Sequence, residues 1–157
     1  MLEIAWIFTK MDISARIQIL ASIQTGSVYY FEDEELTSAE PHYFIVLNKS
    51  PRSEDFLILV CASSQVEKRR KIIKKLGFPE NTLVFVSHSD YPLFKKETVI
   101  DCNRAFEKTA DALIGKLENN KLKVCTEMMP KQIVQSLIEG VIASSQVKEK
   151  IKQVLRP

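Results

Sequence analysis

Between residues 41 and 90 the hydrophobic positions gather into short apolar runs separated by polar clusters. Pro41-His42-Tyr43-Phe44-Ile45-Val46-Leu47-Asn48 and Asp55-Phe56-Leu57-Ile58-Leu59-Val60-Cys61-Ala62-Ser63-Ser64-Gln65 read as a strand pair, with Pro51-Arg52-Ser53-Glu54 supplying turn chemistry between them. Leu83 to Ser87 repeats the form, and Ser27-Val28-Tyr29-Tyr30-Phe31 is strand-like in its β-branched and aromatic content. Weaker alternation predicts further strands at 97–102 and 121–128.

Helical spacing appears elsewhere. Ile13, Ile17 and Leu20 predict a helix from Asp12, its N-cap, to Ile23, with Gly26 suited to a left-handed cap beyond it. Met1 to Thr9 fits either an extension of that helix or an edge strand. Val66 to Leu76 is a basic amphipathic helix stopped by Gly77 and Pro79. Asn103 is expected to cap a helix running to about Leu117, and Pro130 to open another carrying Ile133, Val134, Leu137, Ile138 and Val141. Ser144 or Ser145 would cap a last short helix. Glu32 to Glu40 reads as a flexible acidic loop, either a lid or docking segment or simply a solvated stretch. These elements predict one α+β domain over 1–157: a helical leader (1–25), a small β-barrel or sandwich with its helix (26–117), and a strand with closing helices (118–157).

Composition narrows the class. At 157 residues, 45% hydrophobic and 27% charged, the chain has the make-up of a water-soluble domain with room for a core. A net charge of +2 excludes nucleic-acid binding by bulk charge, leaving only local clusters. Three cysteines without paired spacing argue against disulfides and against zinc. The leader lacks a basic start and a cleavage site, and no run approaches the roughly 18 apolar residues of a membrane span. A cytoplasmic protein without metal or cofactor is the expectation.

The apolar runs carry polar residues at their ends: His42 opens one, Ser63 and Ser64 close the next, and His88 follows the third. In order and spacing this series resembles the MazF/PemK ribonuclease toxins. Gly26 to Tyr30 looks like that family's opening strand, and 41–48 like its second, with His42 where the family carries arginine. Cys61-Ala62-Ser63-Ser64 is similar to the strand end bearing the family's catalytic threonine, matched by Ser63, and the adjacent serine, matched by Ser64. Thr82 to Val86 and Asn103 to Leu117 resemble its later strand and helix. The likeness covers about half the chain and implies an SH3-like barrel, single-stranded RNA as substrate, an antitoxin partner and a homodimer.

Metal-free RNA cleavage needs a base for the 2′-hydroxyl, an acid for the leaving oxygen, and positive charge on the phosphate. The sequence offers His42 and His88 as acid and base, with Ser63 or Ser64 donating to a phosphate oxygen. Lys49, Arg52, Lys68, Arg69 and Arg70 are candidate phosphate ligands, and Tyr43 a base-stacking platform. Each has a plain structural alternative: Ser63-Ser64-Gln65 as the N-cap of the basic helix, Asp90 as a turn cap, the cations as a solvated face. The competing class is a non-catalytic SH3-like barrel that binds a protein or nucleic acid, favoured by the missing arginine.

Overall fold

A computed structural model describes residues 13–157 of the chain; the expected Asp12 cap and the two readings of Met1 to Thr9 lie outside the described residues. The strands are β1 (Val28–Phe31), β2 (His42–Val46), β3 (Leu57–Ser63), β4 (Leu83–Val86), β5 (Thr98–Asp101), β6 (Phe106–Lys108) and β7 (Leu122–Val124). The helices are α1 (Ala15–Ser22), α2 (Val66–Leu76), α3 (Ala110–Glu118), α4 (Lys131–Ala143) and α5 (Glu149–Leu155). The class is α+β, and the sheet is antiparallel throughout, in the order β4-β5-β3-β2-β1-β7. Strand β3 is the hinge of this arrangement. One edge pairs with β2, while the other pairs first with β6 along Leu57 to Leu59 and then with β5 at Ala62 and Ser63. The sheet is open: β4 and β7 are its terminal strands, and no pairing among the described residues joins them. The expected barrel closure is therefore not formed among the described residues.

The reason is visible in the strand composition. Phe44 and Ile45, on opposite faces of β2, are both fully buried, as are Leu59 and Val60 of β3. A sheet buried on both faces needs near-continuous apolar strands, and apart from His42 and Ser63 at their shared end β2 and β3 carry no strongly polar side chain. Phe44, Val46, Leu57 and Leu59 meet Ile19 and Ile23 from the α1 end and Leu113 and Ile114 of α3. Ile45, Leu47, Ile58 and Val60 meet Leu137 and Val141 of α4 and Ile151 and Leu155 of α5. A smaller cluster (Val66, Ile73, Leu83, Val99) seats α2 on β4 and β5.

Caps and breaks follow local chemistry. Helix α2 has the predicted bounds, and its C-cap Gly77 takes the left-handed φ of 71°. Helix α1 starts from Ser14, whose hydroxyl accepts from the Ile17 amide. Two expectations fail. No helix begins at Asn103, because 106–108 pairs with β3 and the helix starts only after Thr109, whose side chain caps Ala112 N. Asn103 is instead a buried bridge: its Nδ2 donates to Thr82 Oγ1 (2.9 Å), and Ser144 Oγ donates to its Oδ1 (2.7 Å). The last helix begins after Lys148, with Ser144 occupied by that bridge.

The acidic segment is not a free loop. Asp33 is buried, and Lys108 Nζ lies 3.0 Å from its Oδ1 and 2.8 Å from Glu35 Oε2. Lys116 Nζ donates to the Glu32 carbonyl and lies 3.5 Å from Glu34 Oε2. Burial alone would lower the Lys108 ammonium, but its bonds to Glu35 and Asp33 outweigh that and raise it. The carboxylates that repel one another in the sequence are strapped to β6 and α3 by two lysines.

Gly140 is a close-packing position inside α4. A Cβ there would stand 2.7 Å from the Asn81 carbonyl oxygen and 2.8 Å from Cys102 Sγ. Gly140→Ala gains helix propensity of about 1 kcal/mol, yet the overlap should dominate. A net destabilisation of about 1–3 kcal/mol is expected in urea unfolding; an unchanged midpoint would show that α4 can back away from β4.

Candidate functional site

Antiparallel pairing decides which chain ends meet. Strand β2 starts where β3 finishes, so His42 and Ser63 share one end of the sheet while the 47–56 connection lies at the other. The register pairs Phe44 with Cys61 and Ile45 with Val60; carried on by two residues, it sets His42 opposite Ser63. At this end a hollow of about 500 Å³ opens between the β1–β2 connection, the start of α2 and the loop before β5.

Each wall has a distinct origin. The strapped segment contributes Leu36, Thr37, Ser38 and Glu40, and the strand ends contribute Tyr30, His42, Tyr43, Ser63 and Ser64. The first turns of α2 bring Lys68 and Arg69, the loop before β5 brings Phe94, Lys95 and Lys96, and Arg104 closes the rim. Tyr30 and Tyr43 rings lie 4.5 Å apart at their centroids, and Tyr43 leans on Phe94 at 5.3 Å, giving an aromatic wall. Tyr29, one position earlier, points into the core, where its hydroxyl lies 2.6 Å from Ser22 Oγ. The two neighbouring rings thus lie on opposite faces of β1, as the strand's pleat requires.

His42 Nδ1 is 2.9 Å from the Glu40 carbonyl oxygen. A carbonyl only accepts, so this nitrogen carries the proton and the neutral ring keeps the lone pair of Nε2. Ser63 Oγ accepts from Gln65 N at 3.1 Å, the turn that launches α2, and its hydroxyl hydrogen stays available. Helix α2 has no side-chain cap, so its first amides face the end that carries the serines. Arg69 is held by Asp101 Oδ2 at 3.8 Å, and Arg104 donates to the Glu35 carbonyl while lying over the Phe106 ring. Lys68, Arg69, Lys95, Lys96 and Arg104 make the hollow cationic, against one carboxylate, Glu40.

Of the residues singled out in the sequence, His42, Tyr43, Ser63, Ser64, Lys68 and Arg69 line this hollow. The others do not. His88 follows β4, whose carboxyl end lies at the same end of the sheet, but its Nδ1 is tied to the Phe94 carbonyl (2.9 Å) and its ring is not part of the wall. Lys49 and Arg52 sit in the connection at the far end, and Arg52 donates to the Ile23 and Ala21 carbonyls, finishing α1. Arg70 faces away from the hollow, stacked 4.4 Å over Phe85 and paired with Glu67 and Glu97. Asp90 is the turn cap, accepting from Ser87 N and Ser87 Oγ, and makes no bond to His88. Lys95, Lys96 and Arg104 were missed. The adjacent lysine pair before a strand was the one available signal; Arg104 had none.

The cysteines are not nucleophiles. Burial pushes the Cys61 thiol up to about 12, against the opposing pull of Arg104 and Arg69, and the Cys125 thiol up to about 11. Burial and the Asp101 carboxylate raise Cys102 as well. In the unfolded chain a thiol ionises near about 8.5. Between that value and the folded ones the unfolded state has lost protons that the native state keeps, so stability falls as pH rises. The urea midpoint is expected to hold from pH 7 to about 8.5 and to decline toward about pH 11, with a shallower decline in Cys61→Ala. A flat profile would contradict this burial.

Among the described residues no group of three or more His, Cys, Asp or Glu could hold a metal ion, and no helix is long and apolar enough to cross a membrane. No protein-family model matches the chain, and no curated protein matches it.

Proposed function

We propose that the hollow binds single-stranded RNA and cleaves it by attack of the 2′-hydroxyl on the adjacent phosphate. The observation that carries this reading is His42 set opposite Ser63, in one hollow with Lys68 and Arg69. His42 Nε2 takes the 2′-hydroxyl proton while Ser63 and the α2 amides donate to the non-bridging oxygens. The cations offset the charge that builds on phosphorus. The leaving 5′-oxygen takes its proton from a lysine of the rim or from water. One base stacks on Tyr30 or Tyr43. On this reading the sheet is an opened relative of the MazF/PemK barrel, and the chain is a toxin-type endoribonuclease, a homodimer whose hollow an antitoxin covers.

The experiment is incubation of the purified protein with single-stranded RNA in EDTA, with analysis of the ends. Cyclic 2′,3′-phosphate termini are expected. Binding should weaken with salt at a slope of about −0.7 per phosphate contacted, and Lys68→Ala with Arg69→Ala should make the slope shallower. A second reading has its own support. With His88 outside the wall no second imidazole serves the leaving group, and Asp101 already holds Arg69. Salt-sensitive binding with intact RNA would establish a binding module without cleavage.

A further inference from the structure

Away from the hollow, strand β4 forms an edge of the sheet with α2 running beside it. Cys102 N donates to Thr82 O at 2.7 Å, and in this register Thr82 faces Cys102, Val84 faces Ile100 and Val86 faces Thr98. Antiparallel bonding alternates, so Val84 and Val86 turn their backbone groups to β5 while Leu83 and Phe85 turn theirs outward. The Leu83 amide is taken by Glu80 O. The Leu83 carbonyl and both backbone groups of Phe85 have no partner among the described residues. Phe85 is also 42% exposed, unusual for so large an aromatic in a strand.

Between this edge and α2 runs a groove of about 570 Å³. Its floor is Ile73 and Leu83, its helix wall carries Arg70 and Lys74, Phe78 and Phe85 stand at its sides, and Glu80 is the one carboxylate in the lining. Arg70 lies over the Phe85 ring at 4.4 Å, so a guanidinium meets any chain that pairs with Phe85. A free strand edge flanked by a helix, with an apolar floor, is the arrangement by which domains capture an extended peptide as an added strand. The backbone edge supplies affinity, and the alternate side chains that reach the floor supply selection.

We infer that this groove docks an extended acidic segment of a partner protein, added antiparallel to β4. One large aliphatic side chain of the segment rests on Ile73 and Leu83. The acidic residue two positions away meets Arg70 and Lys74, because side chains two apart share a face. Arg70 is shared with Glu67 and Glu97 and Glu80 lies in the lining, so the cations in excess, Lys74 with Lys71 and Lys75 beyond it on α2, select acidic over basic partners.

The test uses the whole protein and a fluorescein-labelled twelve-residue peptide that repeats valine-serine-glutamate-serine, so that valine and glutamate share one face, read by fluorescence anisotropy. Saturable binding with a Kd of about 10–100 μM is expected. It should weaken about tenfold or more in Arg70→Glu with Lys74→Glu, and likewise when a central residue of the peptide is proline. Lys68→Glu, in the hollow, should leave it unchanged. The proposal is overturned if the peptide does not saturate. Equal binding of the same peptide with lysine in place of glutamate would overturn it, as would loss of binding in Lys68→Glu alone. Sedimentation showing a dimer that Phe85→Glu dissolves would assign the edge to a second copy and also overturn it.

Discussion

Lys108→Met is expected to destabilise the protein by about 3–5 kcal/mol, the cost of leaving a buried charge without its partner. Lys108 is the only cation within ion-pair distance of Asp33 among the described residues, and the Asp33 side chain is 0% exposed. Its Oδ1 also accepts from Glu35 N (3.3 Å), while Oδ2 has no hydrogen-bond partner, so nothing else stands ready to balance the carboxylate. Methionine keeps the length and apolar bulk of the lysine stem and removes only the charge. Urea unfolding measures the loss. The double variant Lys108→Met with Asp33→Leu removes both charges and should recover most of it, because an apolar pair of similar volume costs little. Should the single variant lose less than about 1 kcal/mol, the strap is no more than a surface ion pair. The effect reaches further than stability. The strap delivers Leu36, Thr37, Ser38 and Glu40 to the wall of the hollow, and the Glu40 carbonyl is what fixes the His42 tautomer.

His42→Ala should lower the rate of RNA cleavage by about 10²–10⁴, the usual contribution of a histidine base. His42 is half-buried at the first position of β2, with one bond to a carbonyl, so the fold should keep its circular dichroism and its urea midpoint. Binding to RNA should persist, carried by Lys68, Arg69 and the aromatic wall. The discriminating control is His88→Ala. Its ring is anchored outside the hollow, and the rate should not change. A collapse with His88→Ala, or an undiminished rate with His42→Ala, would remove His42 from the reaction and leave a binding surface.

Much of the fold was legible because local chemistry was decisive. The bounds of α2 follow from its apolar spacing and from Gly77, whose φ of 71° is costly for other residues. The strand pair β2–β3 follows from two apolar runs around a proline turn. The SH3-like barrel rested on the family resemblance, which says nothing of how many faces of these runs are covered. Phe44 and Ile45 show that both faces need partners, which only α1, α3, α4 and α5 together supply.

The site was partly legible for a related reason. His42 and Ser63 could be brought together from the hairpin alone, since its first and last residues share an end. The same logic should have removed Lys49 and Arg52, which lie in the turn and therefore at the opposite end. His88 and Arg70 depended on rotations about β4 and α2 that short runs do not encode. Arg104 enters through the bend between β5 and β6, where β3 changes partners, and no periodicity marks it.

The covering of the sheet by α4 and α5 has a consequence for how the protein is made. Ile45, Leu47, Ile58 and Val60 leave the ribosome long before Leu137, Val141, Ile151 and Leu155, which shield them in the finished molecule. A nascent chain that has already paired β1, β2 and β3 therefore carries a broad greasy surface until translation passes residue 155. Exposed apolar surface of this kind makes partly folded chains prone to aggregation. Yield on expression should thus respond to synthesis temperature and chaperone supply more than to the stability of the completed fold.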